Sequence, residues 1–319
     1  MLHLRVISPP ELSTRILEIL DEAVGVTNLV VLPGVARSPR GDLIQFDVAR
    51  EAANEVIERL RSLGLCAEGS IAVEEVDLSI SEAADHAQEA APGDGDDAVV
   101  WAEFSQRVED DSRLTWAFLT FLAIATQIAA IGVIVNSPIL IVGAMVLGPE
   151  FGAIAAICFG LIQKDRHLIG RALRALAIGF ASAIATTFAC ALVFHWLGWI
   201  EPSSLIDHKE IGFIVKPDRW SFIVALLAGA AGVLSVTAGK SSALVGVFIS
   251  VTTVPAAGYF AVAGALARWG DMAGSAIQLG VNIAGMIISG MVTLLIQKAY
   301  WSRFDMRLPG RSRRKPAHE

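Results

Sequence analysis

The residue best placed to do chemistry is Glu150, which follows Gly148 and Pro149 inside a long apolar stretch. An ionisable side chain at the centre of a membrane helix costs about 2.5 kcal/mol or more, and such residues mark functional sites. A buried carboxylate can carry a proton or bind a cation. We therefore predict that Glu150 belongs to a site for an ion or a small solute.

A second break is predicted in a later apolar stretch, at Thr252, Thr253 and Pro255. A proline removes one backbone donor and frees a carbonyl one turn earlier, so Pro149 and Pro255 expose backbone that side chains, water or a solute must satisfy. For either proline alone, a kink repaired by neighbouring hydroxyls is the alternative. The carboxylate beside Pro149 favours a binding site.

Further polar residues of the apolar stretches are candidates for the lining of this site. We include Asn282, Asn136 and Gln127 in the predicted site. Each of them alone is more typical of a hydrogen bond between helices, worth about 0.6 kcal/mol on average. The other buried polar candidates are Ser235, Thr237 and Gln278.

The elements that would hold these residues are membrane-spanning helices. Of 319 residues, 54% are hydrophobic, and after residue 113 the apolar runs reach the roughly 20 residues that cross a ~30 Å hydrocarbon core. Glu150 lies 12 residues after Pro138, or about 18 Å along a helix, so we expect both breaks near mid-bilayer. We predict six spans, at roughly 114–135, 138–162, 172–197, 220–239, 243–267 and 272–297.

Charge gives the expected orientation. On the side that holds residues 164–174 and the chain end we count 13 lysines and arginines, and on the opposite side 4. Positive residues favour the cytoplasmic side, and no basic and apolar leader opens the chain. We predict a multi-pass protein of the inner (plasma) membrane with both termini in the cytoplasm.

Spans one to three resemble spans four to six. Because three spans separate the copies, the second copy is predicted to be inverted, and paired broken helices in such repeats indicate a midplane transport site. The residues that recur at equal spacing are Trp116, Phe118 and Ser137 in the first copy and Trp220, Phe222 and Ser241 in the second.

Residues 1–80 are predicted to form a cytosolic domain with the ferredoxin-like order β-α-β-β-α-β, in which 33–41 is a turn. The Gly25–Leu32 stretch GVTNLVVL is similar to the second strand of small ligand-binding domains of the ACT type. Ligand sensing and a structural or oligomerisation role both stay open, because this fold has many functions.

The rest of the chain divides by charge. Residues 1–111 carry 8 arginines and 23 acidic residues, net −15, whereas the remainder is net +8. We assign 81–112 to an acidic linker and interfacial helix, 113–299 to the six-helix transmembrane domain and 300–319 to a basic cytosolic tail. The helix around Trp101 and Phe104 is expected at the membrane surface or against the bundle.

Catalytic chemistry is not expected. The six histidines and three cysteines have no paired spacing for a metal, and Glu150 has no second acid within a span. We predict no enzyme activity, no cofactor and no nucleic-acid partner.

The stretch NSPILIVGAMVLGPEFG, from Asn136 to Gly152, resembles the signature of a prokaryotic membrane family named domain of unknown function 389. That signature has a serine, an apolar IGAM-like stretch and a small residue before proline, and the resemblance covers about 111–300. It implies a polytopic membrane protein but no substrate. Glu150 departs from the apolar residue that commonly follows the proline, so its role is predicted for this chain alone.

Two functions fit these features. The first is a transporter or channel for a small polar solute or ion at the breaks in spans two and five. The alternative is a membrane-anchored ligand sensor or oligomeric scaffold that uses the ferredoxin-like domain. A homo-oligomer in the lipid bilayer is expected for both.

Overall fold

The computed structural model describes residues 1–76, 78–91, 93, 95, 98–201, 205, 219–239 and 241–301, with the backbone only for 241–243. Lys240, the basic tail beyond Trp301 and most of the loop before Arg219 therefore lie outside the described residues, as does most of the predicted linker at 92–97. Contacts divide the chain into two compact units, Met1–Ala98 with Ile296–Glu319, and Val99–Leu295.

The first unit contains a four-stranded antiparallel sheet in the order β2-β3-β1-β4. In β1, Leu2, Leu4 and Val6 are fully buried and alternate with more exposed residues, as expected for a strand with one covered face. The sequence order is that of the predicted ferredoxin-like unit. Its elements are β1 Leu2–Ser8, α1 Pro10–Glu22, β2 Val26–Arg37, β3 Arg40–Val48, α2 Ala53–Ser62, α3 Leu65–Glu68 and β4 Ser70–Glu75.

The predicted turn at 33–41 is shorter than expected, because β2 continues to Arg37. The pairing with β3 shifts between Leu32 and Ala36, and this irregularity accommodates Pro33 on an edge strand. The side chain of Asp42 accepts hydrogen bonds from the Gly34 N–H at 2.9 Å and from Ser13 Oγ at 2.7 Å. These bonds hold the hairpin against α1.

The acidic segment after the sheet forms a helix, α4 (Glu82–Ala90). The hydroxyl of Ser81 accepts a hydrogen bond from the Ala84 N–H at 3.3 Å. This bond caps a helix whose first turn is acidic, as the helix dipole favours.

The second unit is helical. Short connections join most of its helices, and several consecutive helices pack against each other. They are α5 Trp101–Asp111, α6 Trp116–Ile134, α7 Pro138–Leu147, α8 Glu150–Gln163, α9 Arg166–Trp196, α10 Arg219–Thr237, α11 Ser241–Ser250, α12 Thr253–Ala265 and α13 Trp269–Trp301.

Five helical segments among the described residues are long and apolar enough to cross a membrane: α6, α9, α10, α13 and Leu244–Ala265, which includes the α11–α12 junction. The pair α7 and α8 passes the same test but bends by 50° between its two helices, so the count is six if this pair is one span. By length and composition these helices are compatible with a membrane protein, and the predicted span 138–162 corresponds to the bent pair.

The helices of the second unit recur at a fixed spacing. α6 begins at Trp116 and α10 at Arg219, 103 residues later, and each has 19 residues. The same shift relates the starts of α7 and α11, of α8 and α12, and of α9 and α13. The tryptophan and serine pairs found in the sequence are 104 residues apart, one residue out of step with the helix starts.

The turns between these helices follow the same shift. Asn136 (φ 50°) corresponds to Gly239 (φ 68°), and Lys164 (φ 59°) corresponds to Ala267 (φ 54°). Left-handed backbone is uncommon outside glycine, so two coincident pairs indicate that the backbone takes the same course twice.

Helix α5 packs on the bundle by an aromatic cluster. Trp101 stacks on Phe159 of α8 with ring centroids 6.3 Å apart, and Phe104 meets the same ring edge-on at 5.1 Å. Phe104 and Val108 are buried and lie one turn apart. Of the two expected positions for this helix, the described residues favour packing against the bundle.

Candidate functional site

The first break lies between α7 and α8. Pro149 lacks an N–H and disfavours helical backbone in the residue before it, so α7 ends at Leu147, Gly148 is extended and α8 starts at Glu150. A Cβ on Gly148 would collide with the Glu150 carboxylate and would lie 2.8 Å from Cγ2 of Val254. A side chain at this position would force Glu150 or Val254 to move, so the backbone approaches the second break closely here.

The second break lies between α11 and α12, at Val251 and Thr252. Pro255 is the third residue of α12, where the missing N–H has no helical partner to lose. The Ala256 N–H donates to the Thr252 carbonyl at 3.2 Å and so starts the helix. Pro255 therefore lies inside the first turn of α12, and at the 103-residue shift the residue that corresponds to Pro149 is Thr252.

The two breaks meet through their side chains. Thr253 Oγ1 donates a hydrogen bond to Glu150 Oε1 at 2.5 Å, across 103 residues of sequence. Both residues are buried, and each is the first residue of its helix. Two helix N-termini favour negative charge at this point. Glu150 Oε2 is buried and has no hydrogen-bond partner among the described residues.

Next to this pair lies a cluster of three neutral polar side chains. Asn282 Nδ2 donates to Thr252 Oγ1 at 3.0 Å, and Gln278 Nε2 lies 3.3 Å from the same oxygen and 3.4 Å from Asn282 Oδ1. Gln278 is 1% exposed, Asn282 2% and Thr252 8%. Gln278 Oε1 is buried without a hydrogen-bond partner in the part of the chain that the structure describes.

These three residues line one side of a cleft between α10, α11 and α13. Its volume is about 200 Å³. Its residues are Trp220, Ser221, Val224, Ala225, Ser250, Val251, Thr252, Gln278 and Asn282.

The first half of the unit has no room at the corresponding place. At the 103-residue shift, Ser221, Ala225 and Asn282 correspond to Phe118, Leu122 and Gly179. A Cβ on Gly179 would lie 2.7 Å from the Phe118 ring and 3.0 Å from Leu122 Cδ2. Phe118 and Leu122 are buried, so large side chains fill the space that is open in the second half.

The predicted site residues are only partly brought together. Glu150 and Thr253 form one contact, Thr252 and Asn282 form the next, and Pro149 sets the first break. Pro255 is buried in the first turn of α12. The remaining two lie elsewhere: Gln127 is half-buried within α6, and Asn136 is in the α6–α7 connection, at the far end of α7 from Gly148.

Seven of the nine lining residues were not part of the predicted site, and four of these seven carry a polar group. Gln278 and Asn282 are spaced by four residues, which places both on one face of a helix, and this signal could have added Gln278. Trp220 was identified only as a residue of the sequence repeat, and Ser250 is one of the hydroxyls near Pro255 that could repair a kink. No sequence signal identifies Ser221, because its role depends on the space around it.

One acidic residue outside the predicted spans approaches the first turn of α8. The Cβ of Asp111, at the end of α5, lies close to Gly152, where an added Cβ would come within 2.5 Å of it. Burial raises the pKa of the Asp111 carboxyl, while the Arg107 guanidinium opposes this rise. On α9, Arg171 lies 3.4 Å from Glu109 of α5. The C-terminal end of α5 is thus held between α8 and α9.

Comparison with known proteins gives a family match over part of the chain but no activity. The family model described as domain of unknown function (DUF389) matches residues 145–288. The uncharacterized protein MJ0678 of Methanocaldococcus jannaschii is 29% identical over 191 residues, which are 60% of this chain and 56% of that protein. The chain thus spans little more than half the length of this relative. No solved structure matches the chain.

Proposed function

We propose a function from the site, because the match to the family domain of unknown function 389, which the Asn136–Gly152 stretch predicted, supplies no activity. We propose that the protein is an integral membrane transporter or channel for a small polar solute or ion. The observation that carries the proposal is the contact between the two helix breaks, where Thr253 binds Glu150 next to a cleft whose lining includes five uncharged polar side chains.

The proposal includes six spans arranged as an inverted repeat. It counts α7 and α8 as one broken span and α11 and α12 as its counterpart. Equal helix lengths at a 103-residue shift support two copies of one unit. An odd number of spans per copy inverts the second copy, and broken helices at the junction of such copies are where transporters bind substrates. The basic residues at 164–174 would then face the cytoplasm, with both termini.

Glu150 has the properties of a coupling group. Its Oε1 is bound by Thr253, whereas its Oε2 is buried and open to a proton or a cation. A buried charge without a full set of partners is costly, so neutralisation on binding would favour the occupied state. In this proposal the carboxylate carries the proton or cation, and no catalysis is assigned to the chain.

The test is proton movement into liposomes that contain the purified protein and a trapped pH-sensitive dye, driven by a potassium diffusion potential. We expect Glu150→Gln to abolish proton movement above the level of protein-free vesicles. Glu68→Gln, at an exposed position in the first unit, is the matched control and should match the unmodified protein. Equal proton movement in both variants would reject the carboxylate role.

The alternative function is a membrane-anchored sensor. It is supported by the separate core of the first unit, in which Leu4, Phe46 and Leu60 are fully buried. A phenotype retained by residues 1–98 expressed alone would favour the sensor over transport.

A further inference from the structure

We propose that the solute bound in the cleft is small and uncharged and pairs a hydrogen-bond donor with an acceptor, as primary amides and short polyols do. This inference rests on the proposed transport function and narrows it. It excludes a bare inorganic ion as the species that occupies the cleft between α10, α11 and α13.

The polar side chains that line the cleft are uncharged. Among the described residues the cleft presents hydroxyls and carboxamides from Ser221, Ser250, Thr252, Gln278 and Asn282, and no ionisable side chain. An isolated ion in such a place would lose its hydration without an opposite charge to replace it, which is far more costly than the burial of a neutral polar group. Glu150 is not part of this lining.

The hydrogen bonds of Thr252 and Gln278 leave one donor and one acceptor for a bound solute. Thr252 Oγ1 accepts from the carboxamides of Gln278 and Asn282, so its own O–H is left to donate. Gln278 Oε1 is a buried acceptor without a partner in the described chain. Buried polar groups are normally satisfied. Because Thr252 and Gln278 are in contact, one bound molecule could accept from the Thr252 hydroxyl and donate to Gln278 Oε1.

The space of the cleft is open in the second half of the unit and filled in the first. Phe118 and Leu122 close the corresponding space against Gly179 in the first half, whereas Ser221 and Ala225 leave it open in the second. The opening is lined by Asn282 at the position of Gly179. A volume of about 200 Å³ accommodates a solute of a few heavy atoms.

The test is osmotic swelling of liposomes containing the full chain, followed by light scattering after mixing with iso-osmotic urea, glycerol, potassium chloride or ammonium chloride. We expect urea or glycerol to enter at least fivefold faster than into protein-free vesicles. Ser221→Phe, which copies the first half, should remove most of this increase. Leu227→Phe, on an exposed position of the same helix, should not change it.

A second variant covers failure of Ser221→Phe to fold, which size-exclusion chromatography would reveal. Gln278→Glu keeps the side-chain size but places a carboxylate in the cleft, and we expect at least a fivefold loss of urea or glycerol entry. Entry of salts with no entry of urea or glycerol would overturn this inference and leave the transport function standing. If no tested solute entered and no protons moved, both this inference and the proposed transport function would be overturned. If urea entry were unchanged in the folded variants, the cleft would not be the site.

Discussion

The two halves of the helical unit, α6–α9 and α10–α13, have matching helix starts but differ in what lies behind each break. In the first half, Phe118 and Leu122 pack on Gly179, and the break carries the carboxylate of Glu150. In the second half, Ser221 and Ala225 leave a cleft, and the break carries Thr252 beside two carboxamides. The two breaks therefore meet at matching positions of the backbone but differ in the volume and charge of the side chains around them.

This difference separates the proposed tasks of the site. The packed half holds the ionisable group in a water-poor position, where each of its contacts is strengthened by the low dielectric. The open half presents neutral donors and acceptors to a solute. The hydrogen bond from Thr253 to Glu150 links the two halves. In this proposal, a change in the charge of Glu150 therefore alters a contact of the second half.

The largest expected effect comes from opening the packed half. Phe118→Ser combined with Leu122→Ala copies the residues of the second half and removes two buried side chains. Such truncations cost about 2–5 kcal/mol each, so we expect the free energy of unfolding to fall by about 5 kcal/mol or more. The measurement is thermal unfolding in detergent.

The matched control for this double change is Phe121→Ser with Ile124→Ala, at two exposed positions of the same helix. These side chains have less packing to lose, so the unfolding temperature should change much less. If both pairs of substitutions lowered it equally, the packed half would not depend on Phe118 and Leu122 as described.

The next effect tests the closeness of the breaks. Gly148→Ala puts a Cβ against the Glu150 carboxylate and Val254, and overpacking of this kind costs about 1–3 kcal/mol. Gly143→Ala, in α7, has open space around the new Cβ and should be neutral or stabilising, because alanine favours a helix. Unfolding of the two variants in detergent compares them directly, and equal stability would contradict the close approach.

A smaller effect is expected from the bond that joins the halves. Thr253→Val removes the donor to Glu150, and a typical buried hydrogen bond contributes about 0.5–1.5 kcal/mol net to the free energy of unfolding. Because Glu150 is the proposed proton carrier, loss of this bond should also change how proton movement depends on pH. Liposome measurements across a pH series would detect that change.

Thr293→Val provides the control for Thr253→Val. The hydroxyl of Thr293 donates to the Ser289 carbonyl one turn earlier, at 2.9 Å, and has no part in the site. Its loss should leave the pH dependence of proton movement unchanged. A similar change in both variants would mean that this pH dependence does not report on Glu150.

Much of the fold follows from patterns that are local in the sequence. Alternation in Leu2–Ser8 predicts a buried strand face, and apolar runs predict the long helices. Pro149 predicts the first break because a proline there cannot continue a helix. For the second break, the predicted Thr252 and Thr253 lie at the break itself, whereas Pro255 lies within the helix that follows, since a proline is tolerated in the first turn of a helix.

The site itself is less predictable. Glu150 and the threonines stand out as polar residues in apolar runs, and their meeting follows from the repeat. The cleft does not follow, because Ser221 and Ala225 matter through their small volume next to Gln278 and Asn282, which lie 53–61 residues later in the chain. Cavities depend on which helices become neighbours, and a single sequence does not specify that.

The smallest expected effect concerns Asp111, which is partly exposed beside the first turn of α8. Its pKa is raised mainly by burial, so the folded state favours the protonated carboxyl, and the ionised form is destabilising at neutral pH. Asp111→Asn should therefore raise stability at pH 7 by a few tenths of a kcal/mol, since solvent screens an exposed carboxylate. Below the ordinary aspartate pKa of 3.8 the gain should vanish, because the carboxyl is then protonated in both states. The control is Asp110→Asn, which removes a carboxylate 3.7 Å from Arg113 and should give no such gain in stability at pH 7. A gain of equal size in both variants would show that general charge reduction is responsible, rather than the position of Asp111 against α8.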